Sequence, residues 1–326
     1  MPSPKLLVLA TGGTIAGRAG SAVRRDYLPG QIGIETLLDS VDALGLGMAL
    51  EGRQVANIGS EDIGPDIWRA LHAEILRAID DPAIDGIIVT HGTDTAEETG
   101  FLLDETLPTT KPVVLVGAMR PADAVGSDGL RNFANAMRVA ADPAAAGRGV
   151  LVVMGEEVFA ARDARKARTS GTGAFAGFPR GPVGLATPSS LDWLEAPWRP
   201  GEAARHPFPA DFAAVPILHA HAGMRGDSVA MLVAGGAQGI VLAGFGEGNA
   251  PAAVRAALAE AVAEGIVVVR SSRVDQGLVD REPADAANGF IAARALGPAK
   301  ARILAQLLIA GGVRDPAEAQ AAFDRR

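Results

Sequence analysis

Two short segments of the chain combine threonine hydroxyls with glycine. The first is Thr11-Gly12-Gly13-Thr14-Ile15-Ala16-Gly17 and the second is Thr90-His91-Gly92-Thr93-Asp94-Thr95. Glycine lets the backbone turn sharply and brings N–H groups close to a ligand. A threonine hydroxyl is a weak nucleophile alone and needs a base or a proton path. Negative charge developing on an attacked carbonyl oxygen needs backbone donors, which such loops supply. The plain alternative for either segment is a strand-to-helix turn with helix caps. Thr95-Ala96-Glu97-Glu98 has the spacing of a capping box, which assigns Thr95 and Glu98 to a helix start. No lysine follows these glycines as in a phosphate loop. Gly12, Gly13 and Gly17 also miss the G-x-G-x-x-G spacing of a dinucleotide fingerprint, so a nucleotide-dependent reading lacks its motif.

Lys166 is one of only four lysines in a chain that otherwise uses arginine. Lysine can lose its proton when desolvated and arginine effectively cannot. A proton-handling lysine and a solvated basic loop over Arg162–Arg168 both fit this segment. His91, inside the second motif, is read as support for its loop rather than as a base. There is no H-E-x-x-H, no cysteine and no acidic cluster at ligand spacing, so neither a metal nor another cofactor is expected.

These residues must be held at the ends of elements. Leu6–Ala10, Gly86–Thr90, Val113–Val116, Val150–Met154, Val215–Leu218, Ile240–Ala243 and Ile266–Val269 are short, nearly continuous Val/Ile/Leu runs. Such runs are expected of strands buried on both faces. Between them, apolar residues recur at helical spacing: Trp68, Leu71, Ile75, Leu76 and Ile79 after Pro65, Val254, Leu258 and Val262 after Pro251, and Ile303, Leu307 and Leu308 near the end. The alternation predicts an α/β fold with a mainly parallel sheet flanked by helices. Both threonine segments then lie at strand carboxyl ends, where open α/β sheets bind ligands.

Residues 188–212 carry Pro188, Pro197, Pro200, Pro207 and Pro209 and no periodic run, which predicts a linker. It separates a larger N-terminal domain, 1–187, from a smaller C-terminal α/β domain, 213–326. The uncharged stretch Val229–Gly246 is broken by Gly235, Gly236 and Gly239. It is read as a helix end, a turn and a strand rather than a membrane span.

At 326 residues, with 48% apolar and 21% charged residues, the chain has material for a sizeable core. A net charge of −8 offers no basic face for nucleic acid. The absence of cysteine excludes disulfides, thiolate metal sites and a cysteine nucleophile. No membrane association is expected. Met1-Pro2 leading directly into the first strand points to the cytoplasm, with the periplasm open if a leader was removed.

TGGTIAG and VTHGTDTAEET resemble the two signatures of the bacterial-type L-asparaginases and glutaminase-asparaginases. The resemblance extends through NIGSED (Asn57–Asp62), GAMRP (Gly117–Pro121), RGVLVVM (Arg148–Met154), RSSRV (Arg270–Val274) and KARILAQL (Lys300–Leu307). It implies hydrolysis of the side-chain amide of asparagine, and often of glutamine, to the acid and ammonia, with no cofactor. It makes Thr14 the nucleophile, helped by Tyr27 from a lid over roughly Gly17–Gly30, and makes Thr93, Asp94 and Lys166 the second catalytic cluster. Thr93 can also be defended as the first attacker. Ser60 is implied to hold the substrate carboxylate, and Glu61 and Asp94 its ammonium. Many relatives have glutamine where Glu61 stands and others glutamate, so asparagine-versus-glutamine preference stays open. Asn249, and Glu282 counted back from Gly289-Phe290, are implied to complete a neighbouring subunit's site. The active unit is then a homo-oligomer, a tetramer built from dimers. The alternative is the amidase subunit of a tRNA-dependent amidotransferase. Such subunits resemble asparaginases but carry an extra N-terminal domain, whereas here the first motif begins at Thr11.

Overall fold

The computed structural model describes residues 3–19, 27–28, 30–42, 45–108, 110–187, 189–199 and 204–325. The chain divides into two compact units, Met1–Arg205 and His206–Arg326. In chain order the first holds β1 (Lys5–Gly12), β2 (Arg18–Ala19), β3 (Tyr27–Leu28), α1 (Ile34–Asp42), β4 (Ala49–Ile58), α2 (Pro65–Asp80), β5 (Gly86–Thr90), α3 (Ala96–Thr106), β6 (Val113–Val116) and α4 (Gly129–Ala140). It continues with β7 (Val150–Met154), β8 (Glu157–Ala160), β9 (Ala164–Lys166), β10 (Phe175–Gly177), β11 (Gly184–Ala186) and β12 (Leu191–Trp193). The second holds β13 (Ile217–His219), α5 (Asp227–Ala234), β14 (Gly239–Gly244), α6 (Ala252–Ala263), β15 (Val267–Ser272), α7 (Pro283–Asn288), β16 (Phe290–Ala292), α8 (Pro298–Ala310) and α9 (Pro316–Asp324).

In the first unit the strands form one eight-stranded sheet in the order β12-β11-β8-β7-β6-β5-β1-β4. From β4 to β7 every pairing is parallel, and β8, β11 and β12 extend the sheet antiparallel. Alternate residues of the central strands feed two cores. Leu6, Val8, Ile88 and Val114 pack with Ile34, Leu37, Phe133 and Met137 on one face. Leu7, Leu9, Ile87, Val89 and Leu115 pack with Leu71, Ile75 and Leu103 on the other. Burial on both faces is why these strands read as unbroken apolar runs. β4 has no such run because it is the edge strand, and its Arg53 and Gln54 are exposed.

The expected linker is shorter at its N-terminal end than residues 188–212. Leu191–Trp193 adds a strand to the sheet, and Trp198 packs on its core. The buried Arg199 donates from Nη1 to Asp104 Oδ1 at 3.0 Å, and Arg205 N donates to Glu105 O at 3.0 Å. The prolines and the lack of periodicity hid a segment held by buried charge instead of by an apolar stripe.

The second unit is a parallel four-stranded sheet, β13-β14-β15-β16. Leu218, Ile240, Leu242 and Val268 pack with Val229, Val254 and Leu258 from α5 and α6, and α8 packs against β14 and β15. The uncharged stretch 229–246 is the rest of α5, a turn and β14, as its glycines indicate. Among the described residues no helix is long and apolar enough to cross a membrane.

Candidate active site

The sheet order determines which loops meet. β1 and β5 are adjacent with Ala10 opposite Thr90, so the two threonine segments leave the sheet side by side. From β1 the chain goes to β4 on one flank, and from β5 it goes to β6 on the other. Adjacent parallel strands whose connections diverge define a topological switch point, and the crevice there is where open α/β sheets take ligands. The loops after β4 and β6 carry Ser60-Glu61 and Gly117.

Backbone contact closes the base of this crevice. Gly13 has φ +78°, and a Cβ built there would stand 2.4 Å from Gly92 Cα. A Cβ on Gly92 would stand 2.6 Å from Ser60 Oγ and 2.7 Å from Ser60 Cβ. The loop after β4 is also tied by hydrogen bonds. Asp94 N donates to Ser60 Oγ at 3.2 Å, and Thr95 Oγ1 donates to Ser60 O at 2.8 Å. Thr95 does begin α3, but its hydroxyl makes no cap bond, so the capping-box reading fails. That hydroxyl is committed to the neighbouring loop. Thr95 is therefore a site-building residue that its helix-start spacing concealed.

Thr14, Ser60, Glu61, Thr93 and Asp94 line one cavity of about 230 Å³, together with Gly13, Gly59 and Gly92. Thr14 opens a short 3-10 turn, Thr14–Ala16, and Thr14, Ser60 and Thr93 are all buried. Lys166 reaches this group from β9, where it pairs with Phe175 of β10. Its Nζ donates to Thr93 Oγ1 at 2.9 Å and is ion-paired with Asp94 Oδ1. The Lys166 side chain is 19% exposed and that of Asp94 61%, so the pair has a screened end and an open end. A hydroxyl oxygen that accepts from an ammonium parts with its own proton more readily, because the donor stabilises the deprotonated form.

His91 is fully buried, and its Nδ1 bonds Gly92 O at 2.7 Å. Burial pushes its imidazole down to about 4, against which the bond to Gly92 acts only partly. The ring is neutral near pH 7, with Nδ1–H as donor, and its contact serves the loop. The loop after β6 is held separately. Asp128 accepts from Met119 N and Arg120 N, both at 3.0 Å, and Asn132 Nδ2 donates to Gly117 O at 3.0 Å. Asp128 and Asn132, four residues apart at the start of α4, were not singled out from the sequence.

For Tyr27 only the backbone is described, pairing with Ala19, and its side chain lies outside the described residues, as does much of the expected lid. The far end of that segment is anchored next to Thr14: Gly30 N donates to Gly13 O, and Gln31 N and Ile32 N both donate to Ala16 O. Asn249 and Glu282 belong to the second unit, where both line a single cavity of about 230 Å³ with Arg270 and Asp285. Among the described residues no group of three His, Cys, Asp or Glu side chains is placed to hold a metal ion.

Comparison with known proteins bears on the whole chain. Residues 5–199 match the family model described as asparaginase, N-terminal, and residues 214–323 that of the glutaminase/asparaginase C-terminal domain. L-asparaginase 2 of Escherichia coli is 40% identical over 328 residues, covering 99% of this chain and 93% of its own. A protein of Haemophilus influenzae named probable L-asparaginase periplasmic is 40% identical over 327 residues, covering 98% and 93%. The crystal structure of a probable cytoplasmic L-asparaginase from Campylobacter jejuni superposes with a TM-score of 0.90 at 31% identity, covering 99% of this chain and all of that one. Nothing in these likenesses supports the amidotransferase alternative.

Proposed function

Because the chain belongs to the family of the bacterial L-asparaginases and glutaminase-asparaginases, we propose that it hydrolyses the side-chain amide of L-asparagine to L-aspartate and ammonia through a threonine acyl-enzyme. Thr14 Oγ1 adds to the amide carbon, the carbon–nitrogen bond breaks, and ammonia leaves with the proton the hydroxyl gave up. Water then adds to the ester carbon, the acid is released and Thr14 regains its proton. Tyr27 helps to activate Thr14 from the lid. Thr93, Lys166 and Asp94 carry protons for the second half, and loop donors including the Thr93 N–H meet the oxyanion. Ser60 binds the substrate carboxylate, while Glu61 and Asp94 bind its ammonium, with Glu61 setting how far glutamine is accepted.

The observation that carries this reading is the Lys166 Nζ to Thr93 Oγ1 bond of 2.9 Å, which joins residues 73 apart beside the Thr14 and Ser60 cavity. A solvated basic loop has no reason to make it. Each step uses this chain's own groups. The site is completed by Asn249 and Glu282 of a second subunit, in a tetramer made of two such dimers. Their lining of one cavity in the smaller unit supports that assignment. The protein works in the cytoplasm, which cell fractionation tests directly.

The deciding experiment measures ammonia release from L-asparagine and L-glutamine by the wild type and by Thr14→Ala. Release from asparagine that the substitution abolishes is expected. A folded, oligomeric wild type that releases none, or a Thr14→Ala variant that keeps the rate, overturns the proposal.

A further inference from the structure

Arg270 lies in the middle of β15, opposite Leu242 on one side and Ala292 on the other, and its side chain is only 5% exposed. A charge buried there must find partners or destabilise the unit. One carboxylate would suffice, yet this guanidinium makes many more contacts. Nε donates to Asp285 Oδ1 at 2.8 Å and Nη2 to Asp285 Oδ2 at 2.7 Å. Nη2 also donates to Asp280 O at 2.7 Å, and Nη1 donates to Glu247 O. A guanidinium has five N–H groups. The fifth, on Nη1, is left for Glu282 Oε1, 3.4 Å away.

These acceptors come from two loops. Glu247 precedes Asn249 by two residues, and the intervening Gly248 lies so close that a Cβ there would stand 2.7 Å from Arg270 Cγ. Asp280, Glu282 and Asp285 form the second loop and the start of α7. Asp285 returns the contact, since its Oδ2 also accepts from Glu282 N at 2.8 Å. The backbones bearing Asn249 and Glu282 are thus fastened to one planar, rigid cation.

We infer that Arg270 is a positioning residue that presets Asn249 and Glu282 as one unit for the neighbouring subunit's site. The inference rests on the shared-site reading above. Asn249 is exposed and the Glu282 side chain is 41% exposed, so both are presented outward while the group that aims them is buried. Lysine cannot replace Arg270, because a point charge on a flexible stem does not bridge both loops in fixed directions.

The test uses full-length protein. Arg270→Lys keeps a cation against Asp285, so its oligomeric state should match the wild type. The bonds lost to Glu247 O and Asp280 O should lower its melting temperature by a few degrees. Its kcat/KM for asparagine should fall about ten- to a hundredfold, mostly through KM, as expected when binding groups are misplaced. A loss of activity explained by dissociation or unfolding at the assay temperature, or wild-type kinetics, overturns the inference. Arg270→Met is then mixed in equal amounts with Thr14→Ala, and the subunits are allowed to exchange. The intact first unit of an Arg270→Met subunit should be completed by its Thr14→Ala neighbour, restoring about one quarter of wild-type activity in a statistical mixture. The same mixing with Asn249→Ala tests the shared site by itself. If that pair recovers and the Arg270→Met pair does not, the role of Arg270 is refuted while the shared site stands. If neither recovers, the shared site fails and the inference with it.

Discussion

Replacing His91 by asparagine removes a titrating ring while leaving an amide nitrogen close to where Nδ1 bonds Gly92 O at 2.7 Å. The wild-type ring is fully buried and held down at about 4 by that burial. An unfolded histidine takes its proton near pH 6.5. Between these values the unfolded chain binds more protons than the folded one, so the stability that the neutral ring supplies is complete above pH 6.5 and is lost as pH falls toward 4. The gap of roughly 2.5 units corresponds to about 3 kcal/mol at 1.36 kcal/mol per unit, with about 2 kcal/mol already gone by pH 5. Carboxylates also titrate in this range, and His72 too is depressed by burial. Both proteins share these groups, so they cancel in the difference. Urea unfolding at one protein concentration, from pH 4 to pH 7.5, gives the stability of each protein. The wild type should lose about 3 kcal/mol relative to His91→Asn on going from pH 7.5 to pH 4. Parallel curves over the whole range would refute the argument that burial keeps this ring neutral, and with it the exclusion of His91 as a charged participant near pH 7.

Three further substitutions probe the loops around the cavity. Lys166→Met removes the donor 2.9 Å from Thr93 Oγ1 and should lower kcat for ammonia release by about 10²- to 10⁴-fold, the usual worth of a positioned proton-transfer group. A decrease of less than tenfold would mean that the bond is only structural. Thr95→Val deletes the 2.8 Å bond to Ser60 O and should raise KM about five- to tenfold, the equivalent of about 1 kcal/mol, with Thr95→Ser recovering it. Failure of the serine variant to recover would assign the effect to packing. Gly92→Ala places a Cβ 2.7 Å from Ser60 Cβ, which no rotamer of Ser60 can relieve. Calorimetry should show a loss of about 1–3 kcal/mol, and substrate binding should weaken with it.

The sheet was legible where its strands are buried on both faces. β5, β6 and β7 span the segments expected from their apolar runs, since every residue of these strands is buried. β4 escaped because an edge strand keeps Arg53 and Gln54 in solvent and so lacks an apolar run, yet it delivers Ser60 and Glu61. The motifs indicated which residues to watch, but spacing does not say which meet. Thr93 and Lys166 are brought together by a hairpin, β9–β10, whose strands of three residues each carry no periodic signal. Thr95 was misjudged for a different reason. Its local spacing satisfied a helix rule, while a contact across 35 residues decided where its hydroxyl went.

The register of β1 against β5 explains why each threonine motif carries a glycine just before its threonine. Loops leaving adjacent parallel strands start only about 5 Å apart. Here their onward connections diverge, so the loops must touch at the base before they separate, or the crevice would open down to the sheet. Gly13 and Gly92 make that contact with backbone alone: the Cβ of an alanine at 13 would stand 2.4 Å from Gly92 Cα. The positive φ of Gly13 has the same origin, since the chain must turn at once from the strand into the Thr14 turn. Both glycines are therefore needed for geometric reasons that precede any chemistry. A side chain at Gly13 would drive the Thr14 loop off the Thr93 loop, and one at Gly92 would drive Ser60 away. Either would open the cavity that Thr14, Ser60 and Thr93 line.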